Sequence, residues 1–277
     1  MDPVLAASQI EFVVDLQPSD TASWFFTVWA SAAALVFVPY ALIALVQRGD
    51  TLPLLLLISA VLASLVEPML DSLGHVRFAE NVPLTVYTNF GVGITVLVLT
   101  GYVLVMGVGG YVAYRLLKRG ITVRGVFGLW LALVGIDLAV EYPGLLTDVY
   151  GYFGDQPFEL LGFPLWWPVV NGTVMLACGF LVWLMEPRLR GAGRLLIILA
   201  APLAVSGTYG LVAWPVFLSL NADVPSIVPW LAAMVTAALC LLAVRLVAAI
   251  LAADHGEELP SWLSRREASF AEHVERS

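Results

Sequence analysis

Seven apolar runs, most of them at or beyond the roughly 20 residues a helix needs to cross a bilayer, dominate this sequence. They lie at Trp24 to Val46, Leu52 to Leu70, Leu84 to Leu117, Val126 to Tyr142, Pro164 to Met185, Leu195 to Leu220 and Ile227 to Ala252. In hydrocarbon a backbone N–H or C=O finds no water, so a spanning run must satisfy its own hydrogen bonds as a helix. The expected fold is all-α, a polytopic membrane bundle of seven transmembrane helices over residues 23–253. An N-terminal tail at 1–22 precedes it, and a C-terminal tail or surface helix at 254–277 follows. Composition agrees, with 60% hydrophobic and 12% charged residues and a mean hydropathy of +0.91, where soluble domains carry about 25% charge. The third run is too long for one straight span, which predicts an interfacial turn over its first residues or a tilted helix.

Lys and Arg set the expected orientation. With the N-terminus outside, all of the 13 basic residues except Arg77 fall on the inner side, so the reading is N-out, C-in. Met1 to Thr21 carries four acids and no Lys or Arg, unlike a signal peptide, and reads as a short translocated tail. The C-terminal tail, with Trp262 and Phe270 among mixed charges, reads as a surface helix near the inner leaflet or as a solvated tail. The longer connections, Asp71 to Pro83 and Pro143 to Phe163, fall on the outer side and carry Gly, Pro, aromatics and acids. Function is expected to open there.

Two apolar runs end on carboxylates. Glu67 and Asp71 close the second, and Asp137 and Glu141 close the fourth. At about 1.5 Å per residue, Glu67 and Glu141 each lie roughly 22 Å along their helices, within a core about 30 Å thick. Asn89 and Asn171, entering from the outer side, come to roughly 8 to 10 Å below that interface, and Tyr209 falls level with them. An isolated ionised carboxylate at such depth is costly, so the group faces the bundle interior, pairs, or keeps its proton. A carboxyl group that keeps its proton can donate it. The i,i+4 spacing places Glu67 with Asp71, and Asp137 with Glu141, on one helix face each, provided the first helix persists past Pro68. Asp71 and Asp148 read as interfacial. The pattern Val-Glu-Pro followed by Asn89 is echoed by Val140-Glu141-Tyr142-Pro143 followed by Asn171. That echo suggests a parallel repeat of helices two and three as four and five, or merely the recurrence of Pro and acids at helix ends.

The loop from Tyr150 to Pro168 is rich in Tyr, Phe, Trp, Gly and Pro. It reads either as an interfacial aromatic belt or as a lid whose Trp166 and Trp167 line a cavity mouth, where aromatic faces suit a developing cation. Other chemistries lack their residues. No Gly-rich loop with Lys-Ser/Thr is present, and His75, His255 and His273 show no metal-ligand spacing. Helix seven has no lysine for a retinal Schiff base, and there are no Asp-rich clusters for diphosphate chemistry. Cys178 and Cys240 sit in apolar runs as buried thiols, and no basic patch suits nucleic acid. No cofactor or metal is expected. The expected partners are the bilayer and a lipophilic small molecule.

The motif E-P-x-x-D-x-x-G from Glu67 to Gly74, E-x-P from Glu141 to Pro143, and the loop with Tyr150, Gly154, Leu161, Gly162, Pro164, Trp166 and Trp167 running into Asn171 resemble an actinobacterial family of polytopic membrane proteins. Size, helix number and intramembrane acids are also similar, at the level of architecture, to fungal meroterpenoid cyclases and emopamil-binding sterol isomerases. Those resemblances imply protonation of a lipophilic substrate by a buried acid. The resulting expectation is a membrane-embedded terpenoid cyclase or isomerase. Glu67, Glu141 and Asp137 are its catalytic candidates, and Asn89, Asn171, Tyr87, Tyr152, Trp166, Trp167, Tyr209 and Asp71 are its substrate-binding candidates. A transporter or small-molecule receptor using the same acids for cations or protons is the alternative.

Overall fold

The computed structural model describes residues 16–254. Of the described residues 74% are helical, and among them are seven helices long and apolar enough to cross a membrane. These are α1 (Asp20–Arg48), α2 (Leu52–Gly74), α3 (Val96–Lys118), α4 (Val123–Leu145), α5 (Trp166–Met185), α6 (Gly191–Leu220) and α7 (Ile227–Asp254). The sequence places α1 four residues too late. Ser19 accepts a hydrogen bond from the Ala22 N–H at 3.1 Å, so the helix is capped ahead of its apolar run. Gly49, at φ 63°, closes its other end. The C-terminal surface helix and the N-terminal tail read from the sequence lie outside the described residues, apart from Leu16 to Ala22, of which Asp20 to Ala22 belong to α1, and Asp254.

The structure departs from all-α in the connections, which hold three antiparallel strand pairs. The strands are β1 (Val76–Phe78), β2 (Thr85–Asn89), β3 (Val92–Thr95), β4 (Tyr150–Tyr152), β5 (Glu159–Leu160) and β6 (Phe163–Pro164). The third apolar run is therefore neither a tilted helix nor a simple turn. Its residues from Thr85 to Thr95 form the β2–β3 hairpin, and α3 starts at Val96. A content of Val, Tyr, Ile and Thr suits a strand, and Phe90 and Gly91, both at positive φ, make the turn. Val76 of β1 pairs with Tyr152 of β4 and Phe78 with Tyr150, tying the connection after α2 to the one after α4.

Helix α5 is the most buried of the seven and packs against α3 on one side and α4 on the other. Three helices leave regular α geometry in mid-course. Helix α2 tightens to a 3-10 turn at Ser64–Val66, α3 widens to a π segment at Val103–Gly109, and α6 does the same at Tyr209–Ala213. Both Pro68 and Pro143 are accommodated, so α2 runs through to Gly74 and α4 to Leu145. Pro68 opens the helical segment that follows the 3-10 turn, where a missing N–H costs little, and Pro143 falls in the last turn of α4, just before the helix ends.

Candidate functional site

The strand-bearing end of the bundle encloses a cavity of about 100 Å³, several times what one ordered water requires. Glu67 and Asp71 of α2 and Glu141 of α4 supply its carboxyl groups, and neither Lys nor Arg lines it. Because α2 persists past Pro68, Glu67 and Asp71 share a face one turn apart. Apart from Asn171, the rest of the wall is aromatic and aliphatic and includes Phe26, Phe78, Tyr152 and Trp167.

Each glutamate is held by a tyrosine. Tyr102 donates to Glu67 Oε2 at 2.6 Å. Tyr150 donates to the Glu141 carboxylate and lies 2.9 Å from the Glu141 carbonyl oxygen. Burial, followed by the charge of Glu141, keeps the Tyr150 phenol well above the ordinary tyrosine range, and the same causes act on Tyr152. Both phenols therefore stay protonated, and Tyr150 remains a hydrogen-bond donor. Asp137 lies behind this wall, 1% exposed. Its carboxylate accepts from Asn171 Nδ2 at 3.0 and 3.2 Å, and the Asn171 amide oxygen accepts from Tyr209 at 2.5 Å. Tyr209 opens the π segment of α6, and Tyr102 immediately precedes that of α3; such bulges are frequent at functional sites.

Asp71 differs from the other three acids. It is 1% exposed, and its Oδ2 is the one fully buried carboxylate oxygen among the described residues with no hydrogen-bond partner. A buried acceptor left without a partner costs about 1–3 kcal/mol.

Two glycines explain how large rings come so near the acids. A Cβ on Gly74, the last residue of the E-P-x-x-D-x-x-G stretch, would lie 2.2 Å from the Trp167 ring. One on Gly144 would meet Tyr150 at 2.4 Å and Phe26 at 2.6 Å. Trp167 then stacks edgewise with Tyr152, ring centres 5.4 Å apart, and reaches Tyr209 at 5.8 Å.

The structure thus brings Glu67, Glu141, Asp71, Asn171, Tyr152, Trp167 and Tyr209 around one space, with Asp137 one hydrogen bond away. Asp71, read from the sequence as interfacial, is buried in the wall, whereas Asp148 is an exposed turn residue at φ 58°. Three candidates fall elsewhere. Asn89 is exposed on β2 beside the hairpin turn, its side chain bonded to the neighbouring Phe90 N–H at 3.0 Å. The hairpin, absent from the helical depth count, displaces it. Tyr87 donates to the Ser64 carbonyl at 3.4 Å and does not line the cavity. Trp166 packs behind Trp167 and points its N–H at Gln156, 3.4 Å away.

Tyr102 and Tyr150 were missed as site residues. Counting α3 from Leu84 puts Tyr102 roughly 27 Å along the helix, whereas from Val96 it lies only about 9 Å in, level with Glu67. Tyr150 stands in the aromatic loop, but only the β1–β4 pairing turns it toward Glu141.

Fold and site together define a multi-pass, membrane-type helical protein with a carboxyl-lined aromatic cavity near one end of the bundle. Compared with protein families, curated proteins and solved structures, the chain shows no significant match.

Proposed function

We propose that this protein is an integral-membrane enzyme that protonates an isoprenoid or other lipophilic substrate with a buried carboxylic acid, giving cyclisation or isomerisation. Asp71 is the acid. The observation that carries the reading is its buried Oδ2, without a hydrogen bond beside a cavity in which Glu67 and Glu141 are already engaged by tyrosines. In the step assigned to it, Asp71 transfers its proton to a carbon–carbon double bond of the substrate, whose electron pair forms the new C–H bond and leaves a carbocation. A second double bond then closes a ring with its own electron pair, or the cation rearranges. Loss of a proton from an adjacent carbon back to the carboxylate restores the acid. The product is an isomer of the substrate, with no oxidant or reductant consumed. Trp167, Tyr152 and Phe78 offer ring faces to the cation. Tyr209 and Asn171, joined to Asp137, position the wall opposite.

The distribution of basic residues supports an N-out, C-in orientation in the cell membrane, with the cavity in the outer half. The shared order of helix, single strand, hairpin and helix, from α2 to α3 and again from α4 to α5, supports the repeat, and β1 pairs with its counterpart β4.

The alternative of a transporter or receptor rests on a different observation, three carboxyl groups in a cavity without a cationic side chain. One experiment separates the two. Proteoliposomes prepared in D₂O and supplied with a bacterial isoprenoid extract should yield an isomeric product with deuterium at a carbon position, and Asp71→Asn should yield none. Undiminished product from Asp71→Asn would sink the enzyme reading. Cation or proton flux lost in the same variant, without any isomer, would favour transport.

A further inference from the structure

A second space lies directly beside the carboxyl cavity. About 80 Å³ in size, it sits between α3 and α4 over the flank of α5. Val105 and Val140 form walls of both spaces, so only these two side chains and their neighbours separate them. The remaining lining, including Val108, Leu133, Ile136 and Met175, is apolar except for Asp137, which stands at the inner border already bonded to Asn171. At the other border Val112 and Ile136 are 43% and 48% exposed, on helices apolar enough to lie in a membrane. The space therefore faces hydrocarbon on one side and the acids on the other.

We infer that this α3–α4 cleft is the binding subsite for the hydrocarbon chain of the substrate, and the route by which that chain enters sideways from the bilayer. The inference rests on the proposed lipophilic substrate and deepens it. The carboxyl cavity alone is too small for more than the reacting end of an isoprenoid, and a chain anchored there needs an apolar continuation. The cleft supplies it without exposing the chain to water. Its surface also explains why a polar path toward the basic end is not required: both the substrate and its isomer remain in the membrane phase. Val140 acts as the neck between the spaces, and Ile136 as the lip toward lipid.

The test uses the full chain in phosphatidylcholine nanodiscs with a C20 prenyl alcohol carrying a diazirine near its hydrocarbon end, cross-linked by light and mapped by peptide mass spectrometry. Saturable labelling of α3 and α4 residues around Val108, Leu133 and Ile136 is expected, displaced by the unlabelled alcohol although bulk phosphatidylcholine is in excess. Val140→Trp should lower cleft labelling by about tenfold, the loss of roughly two buried methylenes. If that variant fails to fold, Ile136→Trp at the lip should do the same, while Leu242→Trp on the exposed face of α7 should change nothing. Labelling spread evenly over the lipid-facing helices, or displaced by phosphatidylcholine as readily as by the alcohol, would overturn the inference. Asp71→Asn keeps the two proposals apart. Cleft labelling retained with turnover lost supports both. Turnover that depends on Asp71 without cleft labelling overturns the subsite alone, and cleft labelling with turnover indifferent to Asp71 overturns the general-acid reading alone.

Discussion

Tyrosines crowd both ends of the bundle, yet the two ends use them in opposite ways. At the end holding Lys118, Tyr111 accepts from Arg115 at 2.8 Å and shares a hydrogen bond with Tyr40, and Tyr114 accepts from Lys118 at 2.9 Å. Arg48 and Arg115 lie over tyrosine rings at 5.7 and 5.6 Å. There the phenol is an acceptor and a platform for cations whose heads reach solvent, and Lys118 also pairs with Glu186 at 3.0 Å. At the strand-bearing end Tyr102 and Tyr150 donate to carboxylates, and no Lys or Arg shares the cavity. The basic end pairs most of its polar groups with one another, though Arg194 Nε is buried there without a hydrogen-bond partner. The acidic end keeps charge-bearing groups together and leaves one oxygen of Asp71 with no partner. What separates the ends is therefore the kind of group left unpartnered, a carboxylate oxygen beside a cavity at one end and a guanidinium nitrogen at the other, and the proposed function places its chemistry at the first.

The largest effect that this contrast predicts is on turnover. Asp71→Asn should lower it by about 10²–10⁴-fold, the usual contribution of a general acid, while the protein still folds. Glu67→Gln and Glu141→Gln should cost less, because a glutamine oxygen can still accept from Tyr102 or Tyr150. If either glutamine variant loses more product than Asp71→Asn, measured as isomer formed per unit of protein, the assignment of the acid moves to that residue.

Next in size is Gly101→Leu. Gly101 lines the cavity, and a Cβ there meets nothing within 4 Å, so leucine would grow into the space the substrate needs. Turnover should fall by more than about tenfold, while thermal stability holds or rises, because glycine in a helix interior is less favourable by roughly 0.5–1 kcal/mol. Activity retained alongside a lower melting temperature would mean that the space is packing slack and not a site.

Tyrosine-to-phenylalanine variants then compare the ends directly by thermal unfolding in one detergent. Tyr150→Phe removes a buried donor from Glu141 and should cost about 1.5–3 kcal/mol. Tyr111→Phe leaves Arg115, which is exposed, free to turn to water, and should cost below about 1 kcal/mol. Equal losses would erase the distinction between the ends.

How far the sequence carries this architecture follows from what each residue depends on. Helix positions were readable from apolar runs, because each run answers to the bilayer alone. The acids of α2 and α4 were readable too, since a carboxylate in such a run has few reasons to be there. Depth counts brought Glu67, Glu141, Asn171 and Tyr209 to one level, but they failed for Asn89 at the β2–β3 hairpin, and the same hairpin hides the level of Tyr102. A run of Thr, Val, Tyr and Ile is as apolar in a strand as in a helix, so hydropathy could not mark where α3 begins. Asp71 reads as interfacial because Pro68 reads locally as a helix stop, whereas its burial follows from packing such as that of Trp167 against Gly74, which belongs to the tertiary structure. The free oxygen of Asp71 and the cleft beside Val140 depend on contacts between distant segments and leave no local trace.

The smallest predicted effect concerns the joint between α2 and the strands. His75 holds φ 58°, its N–H caps the Asp71 carbonyl, and its ring Nε2 lies 3.3 Å from Asn221 Oδ1. Burial lowers its pKa below 6.5, against a weaker opposing push from the Asn221 hydrogen bond. As pH falls through 6.5 toward the lower folded value, the unfolded chain binds a proton that the folded chain refuses, so stability rises with pH across that window and is lost below it. A modest fall in melting temperature is expected on going from about pH 7.5 to about pH 5.5. His75→Gln, which can still reach Asn221 but cannot take up a proton in this range, should flatten that fall. Because the ring sits four residues from Asp71, the same variant should leave the basic end untouched, and Tyr111→Phe in the His75→Gln background should cost what it costs alone. An unchanged pH slope in His75→Gln would mean that the acid sensitivity of this end comes from the cavity carboxyls and not from the joint.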